Sequence, residues 1–114
     1  MEYLLGKPGE SCDFVCQSNN LMCASSGHNL TEQALSIIQS MGLTCSISPD
    51  SQVYKDGDNP ALTLGTKQLY NMCSGFYNIP KVIDCGAGGN SSKKRLCPCI
   101  KTTGMNSINY MLLE

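Results

Sequence analysis

Ser11-Cys12-Asp13-Phe14-Val15-Cys16, near the start of the chain, and Arg95-Leu96-Cys97-Pro98-Cys99, near its end, decide how this sequence folds. The first follows Lys7-Pro8-Gly9-Glu10, a turn, and Ser11 is a candidate helix N-cap. Over residues 12–19 the spacing predicts a short helix. Cys12, Val15, Cys16 and Asn19 fall at i, i+3, i+4 and i+7, so both cysteines share one face. In an extended strand, residues two apart also point to one side, which makes Cys97 and Cys99 a natural receiver for a helix stapled at two points. A bond between Cys97 and Cys99 across a single proline is strained, so each is directed elsewhere.

The other cysteines are Cys23, Cys45, Cys73 and Cys85, eight in 114 residues. The chain has two Phe, no Trp and eleven Gly, so it lacks the aromatic area that stabilises most cores of this size. An even cysteine count in so small a chain reads as a disulfide framework, and spacing alone leaves the roughly 105 pairings of eight cysteines open. Two rival chemistries compete for the same sulfurs. Zinc needs knuckles of two to four intervening residues; Cys12-x3-Cys16 fits, Cys97-x-Cys99 does not, and four cysteines stay unexplained. His28, in a Ser-Gly-His-Asn turn, reads as solvated. A redox pair at Cys97/Cys99 needs a helix N-terminus to depress a thiol pKa, and Ile100-Lys101-Thr102-Thr103-Gly104 does not start a helix.

The net charge is −1 and only 15% of residues are charged, which gives no nucleic-acid footprint. No apolar run approaches the length of a membrane span. The first residues, Met1-Glu2-Tyr3-Leu4-Leu5-Gly6, are too short and too acidic for a signal peptide, so a secretory targeting signal is expected upstream. Asn29-Leu30-Thr31 and Asn90-Ser91-Ser92 are N-glycosylation sequons, placing Asn29 and Asn90 as candidate acceptors. Cysteines and sequons together indicate the secretory pathway, either Golgi lumen or extracellular, and a glycoprotein.

Residues 1–10 read as an extended lead-in. The clearest helix is 30–41, with Asn29 as N-cap, Glu32 completing a capping box, and a Leu30, Ala34, Ile37, Ile38, Met41 stripe ending at Gly42. Strands are expected at Leu43–Ile47, Lys67–Cys73 and Lys81–Cys85, with a polar loop over 48–62. Asp56-Gly57-Asp58 lacks the further ligands of a calcium loop and reads as a turn. Gly86-Ala87-Gly88-Gly89 forces a flexible turn without phosphate-loop spacing. Lys93, Lys94 and Arg95 are a candidate anion contact, set against a solvated loop. Residues 102–114 form a tail ending Tyr110-Met111-Leu112-Leu113-Glu114. The expected architecture is one α+β, disulfide-rich domain over 1–114, with one or two short helices and a small antiparallel sheet.

With these pieces laid out, the chain resembles the cysteine-rich C-terminal region of N-acetylglucosaminyltransferase V, which branches N-glycans, and of related eukaryotic secretory proteins. The matching residues are Pro8-Gly9-x-Ser11-Cys12-x-x-Val15-Cys16-Gln17, Leu21-x-Cys23, Thr44-Cys45, Cys73, Cys85-Gly86-Ala87-Gly88 and Arg95-Leu96-Cys97-Pro98-Cys99. They cover roughly residues 8–100. The resemblance implies bonds Cys12–Cys97, Cys16–Cys99, Cys23–Cys85 and Cys45–Cys73, a nested scheme whose outermost loop contributes about 4–5 kcal/mol in the chain-entropy model. Two features depart from the family: its further cysteine pair after Cys-Pro-Cys is missing, and so is its catalytic glycosyltransferase domain. The resemblance therefore carries a fold and a compartment but no activity.

The resulting expectation is a non-catalytic accessory or interaction module, without cofactor or metal. Its partner would be a protein, a glycan or a neighbouring catalytic domain. No Ser/His/Asp set or carboxylate pair stands out. The alternatives are a thiol–disulfide oxidoreductase using Cys97/Cys99, and a small secreted binding or inhibitor protein that makes contact through its 50–58 or 93–95 loop.

Overall fold

The computed structural model describes residues 1–47, 53–65 and 67–102. In chain order its elements are β1 (Glu2–Leu5), α1 (Cys12–Ser18), β2 (Leu21–Cys23), α2 (Leu30–Ser40), β3 (Ser46–Ile47), β4 (Ala61–Leu64), β5 (Tyr70–Ser74) and β6 (Lys93–Lys101). With four disulfides, this is a small disulfide-rich α+β domain.

The sheet is built around β6. Its order is β1-β6-β4-β5-β3, with β2 also paired to β6, and every pairing is antiparallel except β3 with β5. Alternation along β6 explains how one nine-residue strand serves three neighbours. The carbonyls of Lys93 and Arg95 accept from Gly9 and Gly6 on the β1 side. The Leu96 N–H donates to Pro60 ahead of β4, and the Pro98 carbonyl accepts from Ala24 after β2, so those elements share the opposite edge. Pro98 brings no N–H to that edge. The strand tolerates it where β4 has ended and β2 is just starting.

Side chains alternate in the same way. Cys97 and Cys99 turn to the α1 face, into a cluster with Cys12, Val15, Cys16 and Leu21. Leu96 turns to the other face, into the main core with Leu30, Ala34 and Ile38 of α2 and with Leu62, Cys73, Phe76, Ile79 and Ile83.

Local chemistry accounts for both helices. Ser11 Oγ accepts from the Phe14 N–H at 3.1 Å, the expected N-cap, and Asn20 at φ 62° ends the turn after α1. In α2 the stripe buries Leu30, Ala34 and Ile38, and Gly42 at φ 80° supplies the left-handed stop. The capping box is not formed: Asn29 makes no side-chain cap bond. His28 takes that place, its Nδ1 accepting from the Leu30 N–H at 3.2 Å.

Several strand expectations are corrected. Of Leu43–Ile47 only Ser46–Ile47 pairs, against Met72 and Cys73. Residues 81–85 form bends and turns. Their backbone is claimed elsewhere: the Ile83 N–H by the Ser25 carbonyl, the Asp84 carbonyl by Arg95, and the Cys85 carbonyl by the Asp13 N–H. Within the extended lead-in, Glu2–Leu5 form strand β1; of the expected 48–62 loop, residues 48–52 lie outside the described residues and the rest gives way to β4 at Ala61. The apolar tail Tyr110–Leu113 lies outside the described residues.

Candidate functional site

The face of β6 that carries Cys97 and Cys99 also carries Lys93 and Arg95, at the same two-residue period. Cys12 bonds Cys97, Cys16 bonds Cys99, Cys23 bonds Cys85 and Cys45 bonds Cys73. These are the pairs implied by the resemblance, and no cysteine is free. Cys12, Cys16, Cys97 and Cys99 have no solvent exposure, so no external thiolate reaches the Cys97 or Cys99 sulfur in the folded chain. The same four sulfurs are not available as zinc thiolates.

The structure does not bring Lys93, Lys94 and Arg95 together as a basic patch. Residues 93–95 are strand, so consecutive side chains leave on opposite faces. Lys93 is buried, with its Nζ 2.8 Å from Asp58 Oδ1, 3.1 Å from Asn59 Oδ1 and 3.7 Å from Asp56. Lys94 lies on the other face, over the Tyr70 ring at 4.4 Å. Arg95 is 1% exposed and donates through one terminal nitrogen to the carbonyls of Asp84 (2.7 Å) and Ala87 (2.9 Å). Burial pushes its guanidinium below the usual range, while the charges of Tyr54, Asp58, Asp84 and Asp13 act against that shift. The Tyr54 phenol is raised by burial, with Arg95 opposing. Asp56 and Asp58, read in sequence as a turn, are thus the counter-ions of Lys93. The sequence signal for this was available: two acids in one loop and a basic run at a strand start.

Arg95 also explains the glycine-rich stretch. By holding the 84–87 backbone it draws residues 86–89 against the turn before α1, where Gly89 donates to the Gly9 carbonyl at 2.8 Å. A Cβ on Gly88 would lie 2.9 Å from the Ser11 nitrogen, so only glycine allows this approach. This stretch, which opens with a turn at residues 85–86, is one wall of an open depression of about 510 Å³, whose other wall includes Gly9, Glu10, Ser11 and Phe14. Phe14, 54% exposed, also borders a second groove of about 560 Å³ towards Leu4 and Leu5 of β1. Sequence reasoning assigned Phe14 no role, because a helix residue off the cysteine face reads as ordinary surface.

The two sequons differ. Asn90 is exposed, its Oδ1 accepting from the Ser92 N–H at 2.9 Å. Asn29 is exposed with its side chain released from capping, while Thr31 Oγ1 donates to the Pro80 carbonyl at 3.4 Å. The remaining histidine chemistry is local to α2. His28 Nε2 is buried without a partner, and burial lowers its pKa. Asp13 lies beside the Cys23 and Cys85 sulfurs, but those two are bonded to each other.

No family model matches the chain, and no curated protein matches it either.

Proposed function

We propose that this chain is a non-catalytic, disulfide-locked interaction module of a secretory-pathway protein, working in the Golgi lumen or outside the cell. The observation that carries the reading is that all eight cysteines are used in four bridges, with those of β6 fully buried. Four such bonds are typical of oxidising compartments. Among the described residues the ion pairs gather on buried Lys93, and exposed Phe14, with the depressions on either side of it, is the surface offered to a partner. A protein or glycan partner fits that surface, and the likeness to the region appended to N-glycan-branching transferases supports an accessory role beside a catalytic domain.

The test is intact mass after alkylation, without and with reductant, beside an assay for accelerated reduction of a substrate disulfide. No added mass without reductant, eight alkyl groups with it, and no acceleration are expected. Two or more thiols alkylated before reduction, or turnover of the substrate disulfide, would replace this reading with a thiol–disulfide oxidoreductase.

A further inference from the structure

The depression between α1 and the glycine stretch has two unlike walls. One holds exposed Phe14 and Glu10; the other is peptide backbone at Gly86, Gly88 and Gly89, which no Cβ covers. An apolar ring across from peptide dipoles and a carboxylate suits a pyranose sugar, whose C–H face is apolar and whose rim carries hydroxyl and amide groups. An acceptor for such a sugar stands beside it, since Asn90-Ser91-Ser92 is a sequon. Asn90 follows Gly89 of one wall, and its carbonyl carbon lies 3.9 Å from the place of a Cβ on Gly9 of the other. Its carbonyl accepts from the Lys93 N–H at 3.0 Å, which ties it to the start of β6. The exposed side chain is oriented too: Oδ1 accepts from the Ser92 N–H at 2.9 Å, and Nδ2 makes no hydrogen bond among the described residues.

We propose that Asn90 Nδ2 carries an N-linked glycan whose first sugar lies in this depression, its apolar face on the Phe14 ring. In the transfer, Nδ2 forms a bond to the anomeric carbon of N-acetylglucosamine. The bond from that carbon to the pyrophosphate of a lipid-linked donor breaks, one proton passes from Nδ2 to solvent, and the lipid pyrophosphate departs. Nδ2 is the polar atom of this side chain that the fold leaves unused, so the new bond breaks no hydrogen bond. Tethered at the rim, the sugar meets the ring at an effective concentration on the order of millimolar, so a contact too weak to hold a free sugar is populated. The inference rests on the secretory compartment proposed above. It narrows the surface left to a protein partner to the groove between Phe14 and β1.

The test uses the full chain secreted by a eukaryotic cell behind a supplied signal peptide, with its glycans trimmed enzymatically to their first sugar. Peptide mapping should place one N-acetylglucosamine on Asn90. Ser92→Ala, which keeps the backbone N–H bonded to Asn90, should lose it. In proton NMR the ring current should shift the C–H protons of that sugar upfield. Phe14→Leu, with its four bridges intact, should return them to their positions in the reduced, unfolded chain. A bare Asn90 on chain secreted with four bridges would overturn the inference and leave the compartment standing. A glycan on Asn90 whose sugar protons are indifferent to Phe14→Leu would overturn it as well. Chain retained in the cell with free thiols would overturn the compartment, and this inference with it.

Discussion

Lys93 shows how far one side chain's environment can lie from its appearance in sequence. Two acids and a buried amide oxygen converge on its ammonium, and Asn59 Oδ1 also accepts from Ser74 Oγ at 2.9 Å. Removing one partner of a buried pair leaves the other charge without compensation. Lys93→Ala is therefore expected to lose about 3 kcal/mol in urea unfolding, because Asp58 is left half of a pair. Lys94→Ala, which loses only its place over Tyr70, is expected to lose about 0.5–1 kcal/mol. A solvated basic cluster would give two small and equal effects. His28 makes the second residue-scale prediction. Its neutral Nδ1 is the acceptor for the first N–H of α2, and protonation would set a positive charge against the positive end of that helix. Burial lowers the folded pKa from 6.5, so the unfolded chain binds the proton more readily. The stability due to neutral His28 is then complete above about pH 6.5 and is lost as pH falls through the lowered folded value. Melting temperature should drop over that window, and His28→Asn, which keeps a capping acceptor but does not titrate, should flatten the drop.

At the scale of elements, α1 is held to β6 by two bridges four residues apart on one side and two apart on the other. Once either is closed, the second closes a ring of only eight residues (Cys12–Cys16 with Cys97–Cys99), not the long loop of its sequence separation of 83 or 85. In the chain-entropy model, replacing either pair with alanines should cost about 2–3 kcal/mol and replacing both about 6 kcal/mol, since Cys23–Cys85 already shortens the outer loop. A double-mutant cycle by chemical denaturation measures the difference, and additive losses would sink the two-point staple. The two helices were legible in sequence because their evidence is local: an N-cap serine, cysteines at i and i+4, an apolar stripe and a terminal glycine. Strands β1, β2 and β4 were not, since three or four residues carry too little alternation to stand out. Residues 81–85 misled for a related reason: Lys81-Val82-Ile83-Asp84-Cys85 has strand-like composition, but its backbone is bonded to Ser25, Asp13 and Arg95. Such partners are set by tertiary structure.

For the molecule as a whole, the four bridges do the work that a larger core would do. Two clusters of buried side chains lie on opposite faces of one strand, and two of the bridges connect α1 to that strand. The framework was partly legible: the shared faces of Cys12/Cys16 and Cys97/Cys99 could be argued from geometry, whereas Cys23–Cys85 and Cys45–Cys73 had no local signal. The surface around Phe14 was not legible, because its depression is made by a glycine loop drawn in from more than seventy residues away. The same long reach governs synthesis. Cys12, Cys16 and Cys23 have partners 85, 83 and 62 residues downstream. In the secretory setting proposed above, these three thiols would emerge together before any of their partners, and the nearest sulfurs on offer would be each other. Any bond formed among them at that stage has to be undone once Cys85, Cys97 and Cys99 have emerged. Oxidative refolding of the reduced chain is therefore expected to gain more yield from added disulfide isomerase than from added oxidant.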